Sequence, residues 1–310
     1  MRILFWGTPE FATPPLRALL GEGHDVIGVV TQPDRPQGRS RSTLVPSPVK
    51  VIAEEEGIPV FQPAQPRDPE FLETLRTLAP DLSVVVAYGH ILSRAIIDLP
   101  TMGTWNIHAS LLPRWRGAAP IQATILAGDA ESGVTIMRMV PKLDAGAILL
   151  QAPTPVLPDE TGGELTERLS ELGALALIEA VTLASLGSAL TETPQDEAHV
   201  TYAPKLDRES ARIRWSAPAV EVARAIRAYD PRPGAWTTLR GVDTRISGVT
   251  LVPDLADAPG TVLAVEEHGA LVACGTGAVR IGYLQPAGKR RMAALDLAQG
   301  RQLSTADVLS

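Results

Sequence analysis

The chain has 310 residues, 45% of them hydrophobic, which is long for one domain and ample for a large core, so two domains are expected. The single cysteine, Cys274, excludes a disulfide framework and a cysteine zinc site, and it fits a reducing compartment with a buried, inert thiol. The net charge of −7 argues against a nucleic-acid partner for the chain as a whole. However, residues 1–204 carry 14 Lys/Arg against 24 Asp/Glu while residues 205–310 carry 14 against 11, an asymmetry that suits a polyanion at the C-terminal part and is equally within ordinary scatter.

In chain order, Arg2–Trp6 reads as a strand stopped by Gly7-Thr8-Pro9, and Pro14-Pro15-Leu16 opens a helix that ends at Gly21. Val26–Thr31 is a second strand, followed by a polar loop with four prolines, Gln32 to Pro48. Val49–Glu56 and Glu70–Leu78 are helical, with a short strand at Val60-Phe61 between them. Leu82–Tyr88 is a continuous apolar run of strand length, the pattern of a parallel strand covered on both faces. Thr104–His108 and Val134–Val140 are strands around a helix at Ala118–Ala127. Ala147–Gln151 extends the sheet and Glu164–Ala189 is a long helix. Within it, Leu172–Leu190 is nearly of spanning length but holds Glu179, Thr182 and Ser185, so it reads as a buried helix of a soluble protein, with no signal peptide ahead of it.

This alternation predicts an α/β fold, a doubly wound and mostly parallel Rossmann-like sheet, over residues 1–189. Residues 190–208 are polar and proline-flanked and read as a linker. Over 209–310 one helix, Ala217–Tyr229, is followed by short glycine-punctuated β-runs, which suggests a small β-barrel.

The first turn does not bind a dinucleotide: Gly7-Thr8-Pro9-Glu10-Phe11-Ala12 has one glycine where the fingerprint needs three, so no nicotinamide cofactor is expected. The dense polar cluster lies in Asn106-Ile107-His108-Ala109-Ser110. Asn106 and His108 are two apart on a strand and share a face at its C-terminal end, where open α/β sheets bind ligands. Asp144 follows a later strand and also falls at a C-terminal end. An amide, an imidazole and a carboxylate converging there suit attack of an amine on a carbonyl. Such a reaction needs donors for a developing oxyanion and an acceptor for the amine proton. The same residues are also compatible with plainer roles: a capping asparagine, a satisfied polar histidine and an ordinary Asp-Ala-Gly turn. Ser110 as a nucleophile lacks the G-x-S-x-G elbow.

Asn106-x-His108-x-Ser110-Leu111-Leu112-Pro113 with Asp144 downstream resembles the signature of the folate-dependent formyltransferases. The likeness runs through most of the chain, from RILFWGTPEFA through VVTQPDRPQGR, PSPVK, VVVAYGHIL, NIHASLLPRWRGAAPIQ and GVTIMRM to VTYAPKL, ARIRW and LQPAGKRRM. It is nearest to the branch of the family whose acceptor is methionyl-tRNA. Members that formylate a purine-pathway amine share only the first domain.

The resemblance implies that Asn106, His108 and Asp144 are the catalytic three, with Ser110, Leu111, Leu112 and Pro113 and the loop Tyr88, Gly89, His90, Ile91 and Leu92 lining the folate site. It implies 10-formyltetrahydrofolate as cosubstrate, no metal, and initiator methionyl-tRNA as partner of a cytoplasmic monomer without membrane contact. The C-terminal barrel would be OB-like and would hold tRNA by its phosphates. Two basic clusters fit that role: Arg35, Arg39, Arg41 and Lys50 in the first domain, and Lys289, Arg290 and Arg291 in the second. For each the plain alternative is a solvated loop or turn. Three positions depart from the family pattern: Ala109 stands where glycine is usual, His90 where an aliphatic residue is expected, and the first basic loop is poor in lysine. A formyltransferase for a small sugar- or purine-linked amine, and a non-catalytic RNA-binding protein on the same scaffold, are the rival readings.

Overall fold

Arg2–Gly7 (β1) buries five consecutive residues, and all five residues of Leu82–Val86 (β6) are buried. Strands apolar on both faces belong at the centre of a sheet covered by helices on each side. The computed structural model, which describes residues 1–37, 43–187, 190–253, 255 and 257–310, places them there. The other strands of this part are Asp25–Val30 (β2), Arg35–Gln37 (β3), Thr43–Val45 (β4), Val60–Phe61 (β5), Thr104–His108 (β7), Glu131–Arg138 (β8) and Ile148–Pro155 (β9). The seven-stranded sheet has the order β9-β8-β7-β6-β1-β2-β5. The pairs β1/β2, β1/β6, β2/β5 and β6/β7 are parallel, and β7/β8 is antiparallel. The expected doubly wound, mostly parallel sheet is therefore present.

Helix starts follow their capping residues. Thr13–Gly21 (α1) carries proline in its first turn. In Pro48–Glu55 (α2) the Ser47 hydroxyl accepts from Lys50 N, and in Pro69–Leu78 (α3) Asp68 accepts from Glu70 N. Arg94–Ile97 (α4) is one turn. Leu4, Trp6, Val30, Leu75, Val85, Tyr88, Leu92, Ile96 and Ile97 form one core cluster.

Two compact units result: Met1–Gly117, Ser132–Thr154 and Thr166–Tyr202 make the first, and Ala118–Glu131, Pro155–Leu165 and Ala203–Ser310 make the second. The units are thus discontinuous, unlike the expected blocks 1–189 and 209–310. The reason is that Pro120–Ala127 (α5) packs against Ala219–Ala228 (α7) in the second unit. The long helix runs Gly162–Ser185 (α6), two residues earlier than expected. Thr161 and Glu164 form a capping box, Glu164 N donating to Thr161 Oγ1 at 3.2 Å and Thr161 N to Glu164 Oε2 at 2.9 Å. The expected end at Ala189 lies outside the described residues. No helix among the described residues is long and apolar enough to cross a membrane.

Two local expectations are corrected. The loop Gln32–Pro48 contains a hairpin, β3 against β4 with Arg35 opposite Val45. It escaped notice because three-residue strands carry no periodicity and Pro36 is tolerated only where a strand is not central. The expected linker 190–208 is, over 190–202, part of the first unit: Thr193 exchanges backbone hydrogen bonds with Ile148 at 2.8 and 2.9 Å.

The second unit is antiparallel. Its strands are Trp236–Leu239 (β10), Val242–Val252 (β11), Val262–Glu266 (β12), Gly269–Ala273 (β13), Ala278–Pro286 (β14) and Met292–Ala293 (β15), with the helix Ala294–Gln299 (α8) after them. Their order is β10-β11-β14-β13-β12, with β15 on β14. The C-terminal residues join the two edges: Thr238 N donates to Ser310 O at 2.7 Å, and Leu309 N to Gly260 O at 2.8 Å. This closes the sheet into the expected small barrel.

Candidate active site

The strand β7 places the first two groups. Asn106 lies opposite Met137 and His108 opposite Thr135 of β8. Successive side chains alternate, so Asn106 and His108 share a face about 7 Å apart along the strand, as the sequence predicts. Trp105 and Ile107 are buried at 2% and 4% exposure and anchor the strand. Asn106 is half-buried and its amide takes no hydrogen-bond partner among the described residues, so it is free to meet a ligand.

His108 is 5% exposed. Its Nε2 lies 2.9 Å from the carbonyl of Trp115. A carbonyl only accepts, so Nε2 carries a proton and Nδ1 is the nitrogen left for chemistry. Nδ1 faces Asp144, at 3.7 Å from Oδ2. The same Oδ2 accepts from Gly117 N at 2.8 Å. The Asp144 backbone sits in the left-handed region at φ 47°. The turn is tight: a Cβ added to Gly146 would lie 1.6 Å from the carbonyl oxygen of Arg138, so only glycine fits. The structure thus brings His108 and Asp144 together beside Asn106.

The run Ser110–Pro113 follows at once and is internally satisfied. The Ser110 hydroxyl donates to Arg114 O at 2.6 Å, which removes it as a nucleophile. Thr135 Oγ1 donates to Ser110 O at 2.7 Å and accepts from Leu112 N at 3.1 Å. Gln151 Nε2 donates to Leu112 O at 2.9 Å. Leu112–Pro113 is a cis peptide. Much of this backbone is therefore engaged within the protein, which leaves side chains such as half-buried Leu111 and Pro113 to meet a ligand.

The loop after β6 divides by burial. Tyr88 and Leu92 are core residues, 1% and 3% exposed, while Gly89, with φ 86°, and Ile91, 87% exposed, face outward between them beside the exposed His90. Tyr88 stacks edge-on against Trp6 at 5.3 Å. Burial pushes its hydroxyl pKa up to about 12. Its carbonyl accepts from Gln32 Nε2 at 3.0 Å and from Thr8 Oγ1 at 3.3 Å.

Of the first basic cluster, Arg39 and Arg41 lie outside the described residues. Arg35 donates to Gln32 Oε1. Lys50 is not a free cation. Its ammonium donates to Asp34 Oδ2 at 2.7 Å and to Gln62 Oε1 at 3.0 Å, and its side chain is 16% exposed. In the second unit Lys289, Arg290 and Arg291 are all exposed; Lys289 Nζ donates to Gln302 Oε1 at 2.6 Å, and the Arg291 guanidinium lies 4.1 Å over the Tyr283 ring.

Sequence reasoning missed the groups that hold the site from behind: Trp115, Arg116, Gln195 and Thr201. Polar residues of an apparent linker have no periodicity to betray them. The one signal was Arg116, a charge inside an otherwise structured stretch, and it is fully buried.

Residues 1–181 match the family model described as formyl transferase, and residues 205–302 match that of the formyl transferase C-terminal domain. The chain is 50% identical to a methionyl-tRNA formyltransferase of Xanthomonas campestris pv. campestris, over 97% of this chain and 98% of that one. It is 49% identical to a methionyl-tRNA formyltransferase of Marinobacter nauticus, over 97% and 96%. Among solved structures the fold is like that of HypX from Aquifex aeolicus in complex with tetrahydrofolic acid, with a TM-score of 0.69 and 19% identity, covering 100% of this chain and 50% of that one. It is also like the N-formyltransferase from Helicobacter canadensis, with a TM-score of 0.68 and 17% identity, covering 94% and 99%. The chain belongs to the formyl transferase family.

Proposed function

We propose that this protein transfers the formyl group of 10-formyltetrahydrofolate to the amino group of methionyl initiator tRNA, giving N-formylmethionyl-tRNA. The observation that carries this reading is near-half identity, along almost the full length, to relatives named methionyl-tRNA formyltransferase. The partner-free amide of Asn106 and the Nδ1 of His108 facing Asp144 supply the chemical groups it needs.

The reaction is a direct acyl transfer. The neutral methionyl amine attacks the formyl carbon, forming the new C–N bond while the carbonyl electrons move to oxygen. Asn106 donates its amide N–H to that oxyanion, and protonated His108 donates from Nδ1, since Nε2 is held by Trp115. Asp144 balances the imidazolium and takes the proton the amine sheds. Collapse breaks the bond from the formyl carbon to N10 of the folate, which takes the proton Asp144 accepted from the amine and leaves as tetrahydrofolate. No enzyme nucleophile is needed, in keeping with the engaged Ser110 hydroxyl.

Gly89, His90, Ile91, Leu111 and Pro113 are the exposed or half-buried groups offered to the folate, and Ser110, Leu112, Tyr88 and Leu92 support them from the interior. Arg35, with Arg39 and Arg41, and Lys289, Arg290 and Arg291 meet tRNA phosphates; Lys50 secures the base of the hairpin instead. The protein acts in the cytoplasm as a monomer.

Incubation of initiator methionyl-tRNA with the protein and 10-formyltetrahydrofolate, read by acid-gel mobility, tests the reading. The formylated species is expected with wild type and absent with His108→Ala. Consumption of the folate donor without a tRNA shift would transfer the assignment to another amine.

A further inference from the structure

The functional atoms of His108 and Asp144 face each other and are each met by backbone of the loop after Pro113. The Trp115 carbonyl accepts from His108, and the Gly117 N–H donates to Asp144. Apart from the two-residue strand Arg116–Gly117, these turns are irregular: Trp115 has φ 62°, Gly117 φ 126° and Asp144 φ 47°. Non-glycine residues hold such conformations only where surrounding contacts over-determine them.

The contacts come from residues 195–201. Thr201 Oγ1 accepts from Trp115 N at 2.9 Å, and Thr201 O accepts from Arg116 N at 2.9 Å. Gln195 Nε2 donates to the carbonyls of both Asp144 and Gly146, each at 2.8 Å. Its Oε1 accepts from Arg116 Nε at 3.0 Å. Arg116 has no exposed surface, and its second anchor is Glu197, at 3.0 Å from Nη2. The Glu197 carboxylate also accepts from Lys142 Nζ, at 3.1 Å, two residues before Asp144. A buried guanidinium is costly unless its donors are met, and among the described residues Nη1 of Arg116 has no partner. This cost is accepted where the guanidinium fixes Gln195 between two turns of the site.

We infer that Gln195 is a positioning residue for formyl transfer: its amide holds the Asp144–Gly146 turn so that the Asp144 carboxylate stands at the imidazole of His108, and Arg116 holds Gln195. The inference rests on the catalytic role proposed above for Asp144. It makes the segment 195–201 part of the catalytic apparatus. Two N–H donors on one nitrogen, meeting two carbonyls two residues apart, are what an amide supplies here. A carboxylate at the same position would keep the Arg116 partner and present negative charge to both carbonyls.

The experiment compares wild type, Gln195→Ala, Gln195→Glu, Asp144→Ala and the double variant Gln195→Glu/Asp144→Ala, with kcat and both KM values from formylation of initiator methionyl-tRNA and thermal midpoints alongside. Both Gln195 variants should lower kcat by up to about 100-fold, the cost of misplacing a reacting group by about 1 Å. Both KM values should stay near wild type, and Gln195→Glu should keep its thermal midpoint. The double variant should be no slower than Asp144→Ala, because Gln195 acts through Asp144. Wild-type kcat in Gln195→Glu, or a loss that multiplies with that of Asp144→Ala, overturns the inference and leaves the role of Asp144 standing. An Asp144→Ala variant with wild-type kcat defeats that role itself.

Discussion

One oxygen of Asp144 serves two partners: Oδ2 lies 2.8 Å from the Gly117 amide and 3.7 Å from His108 Nδ1. The shorter bond pins the carboxylate to the loop, and the longer separation leaves Nδ1 open to a substrate oxygen. His108→Ala is therefore expected to lower kcat by about 10²–10⁴-fold, the span of general acid–base assistance. Its tRNA affinity should move by less than about threefold, since the lost interaction forms only in the transition state. Single-turnover rates and filter binding of the same variant check the split; equal losses in both would remove His108 from the chemistry.

Asn106 separates catalysis from stability. Its amide has no partner among the described residues, so Asn106→Ala leaves no buried group unpaired. Turnover should fall by about 10²–10³-fold, the effect of deleting one oxyanion donor. The thermal midpoint should remain that of wild type. A shifted midpoint with unchanged kcat would assign Asn106 to the fold.

The Lys50–Asp34 pair links stability to acid pH. The hydrogen bond from Lys50, and then that from Gln62, hold the Asp34 carboxyl below its ordinary value of 3.8. A depressed folded-state pKa stabilises the protein above the unfolded value, and the contribution is lost as pH falls through the folded one. In Lys50→Ala the acid limb of the unfolding profile should flatten in that window, because the folded and unfolded pKa values converge. At neutral pH this variant should be less stable than wild type, because Asp34 keeps only the Gln62 hydrogen bond. Urea denaturation across the acid range reads both effects. A variant that keeps its stability but binds tRNA weakly would return Lys50 to the phosphate contacts.

Cys274 should be silent in the native protein. The thiol is 1% exposed, and burial pushes its pKa up to about 11. Thiolate is scarce at neutral pH and the sulfur is out of reach, so a disulfide reagent should find no thiol before unfolding and one equivalent after it. Rapid native labelling would show that the barrel opens around β13.

Arg290 is exposed, with no partner among the described residues. As a phosphate contact it would release about one counterion, so Arg290→Ala should reduce the slope of log K against log salt by about 0.9. Affinity should fall alike for all tRNAs. An unchanged slope would leave Arg290 a solvated turn residue.

Much of the candidate site's placement was legible before any fold was known. Asn106 and His108 share a side because strands alternate, and Leu82–Tyr88 declared a central strand because both its faces are apolar. Such features are local: a period of two and a run of apolar residues are written into neighbouring positions. What tertiary structure alone decided is long-range and polar. Gln195 reaches Asp144 across 51 residues and Arg116 across 79. Lys50 is tied to Asp34 and Gln62, and the closing partner of Thr238 is Ser310. Single hydrogen bonds between distant polar side chains leave no periodicity in the sequence. Their existence depends on distances set only when the apolar elements have packed.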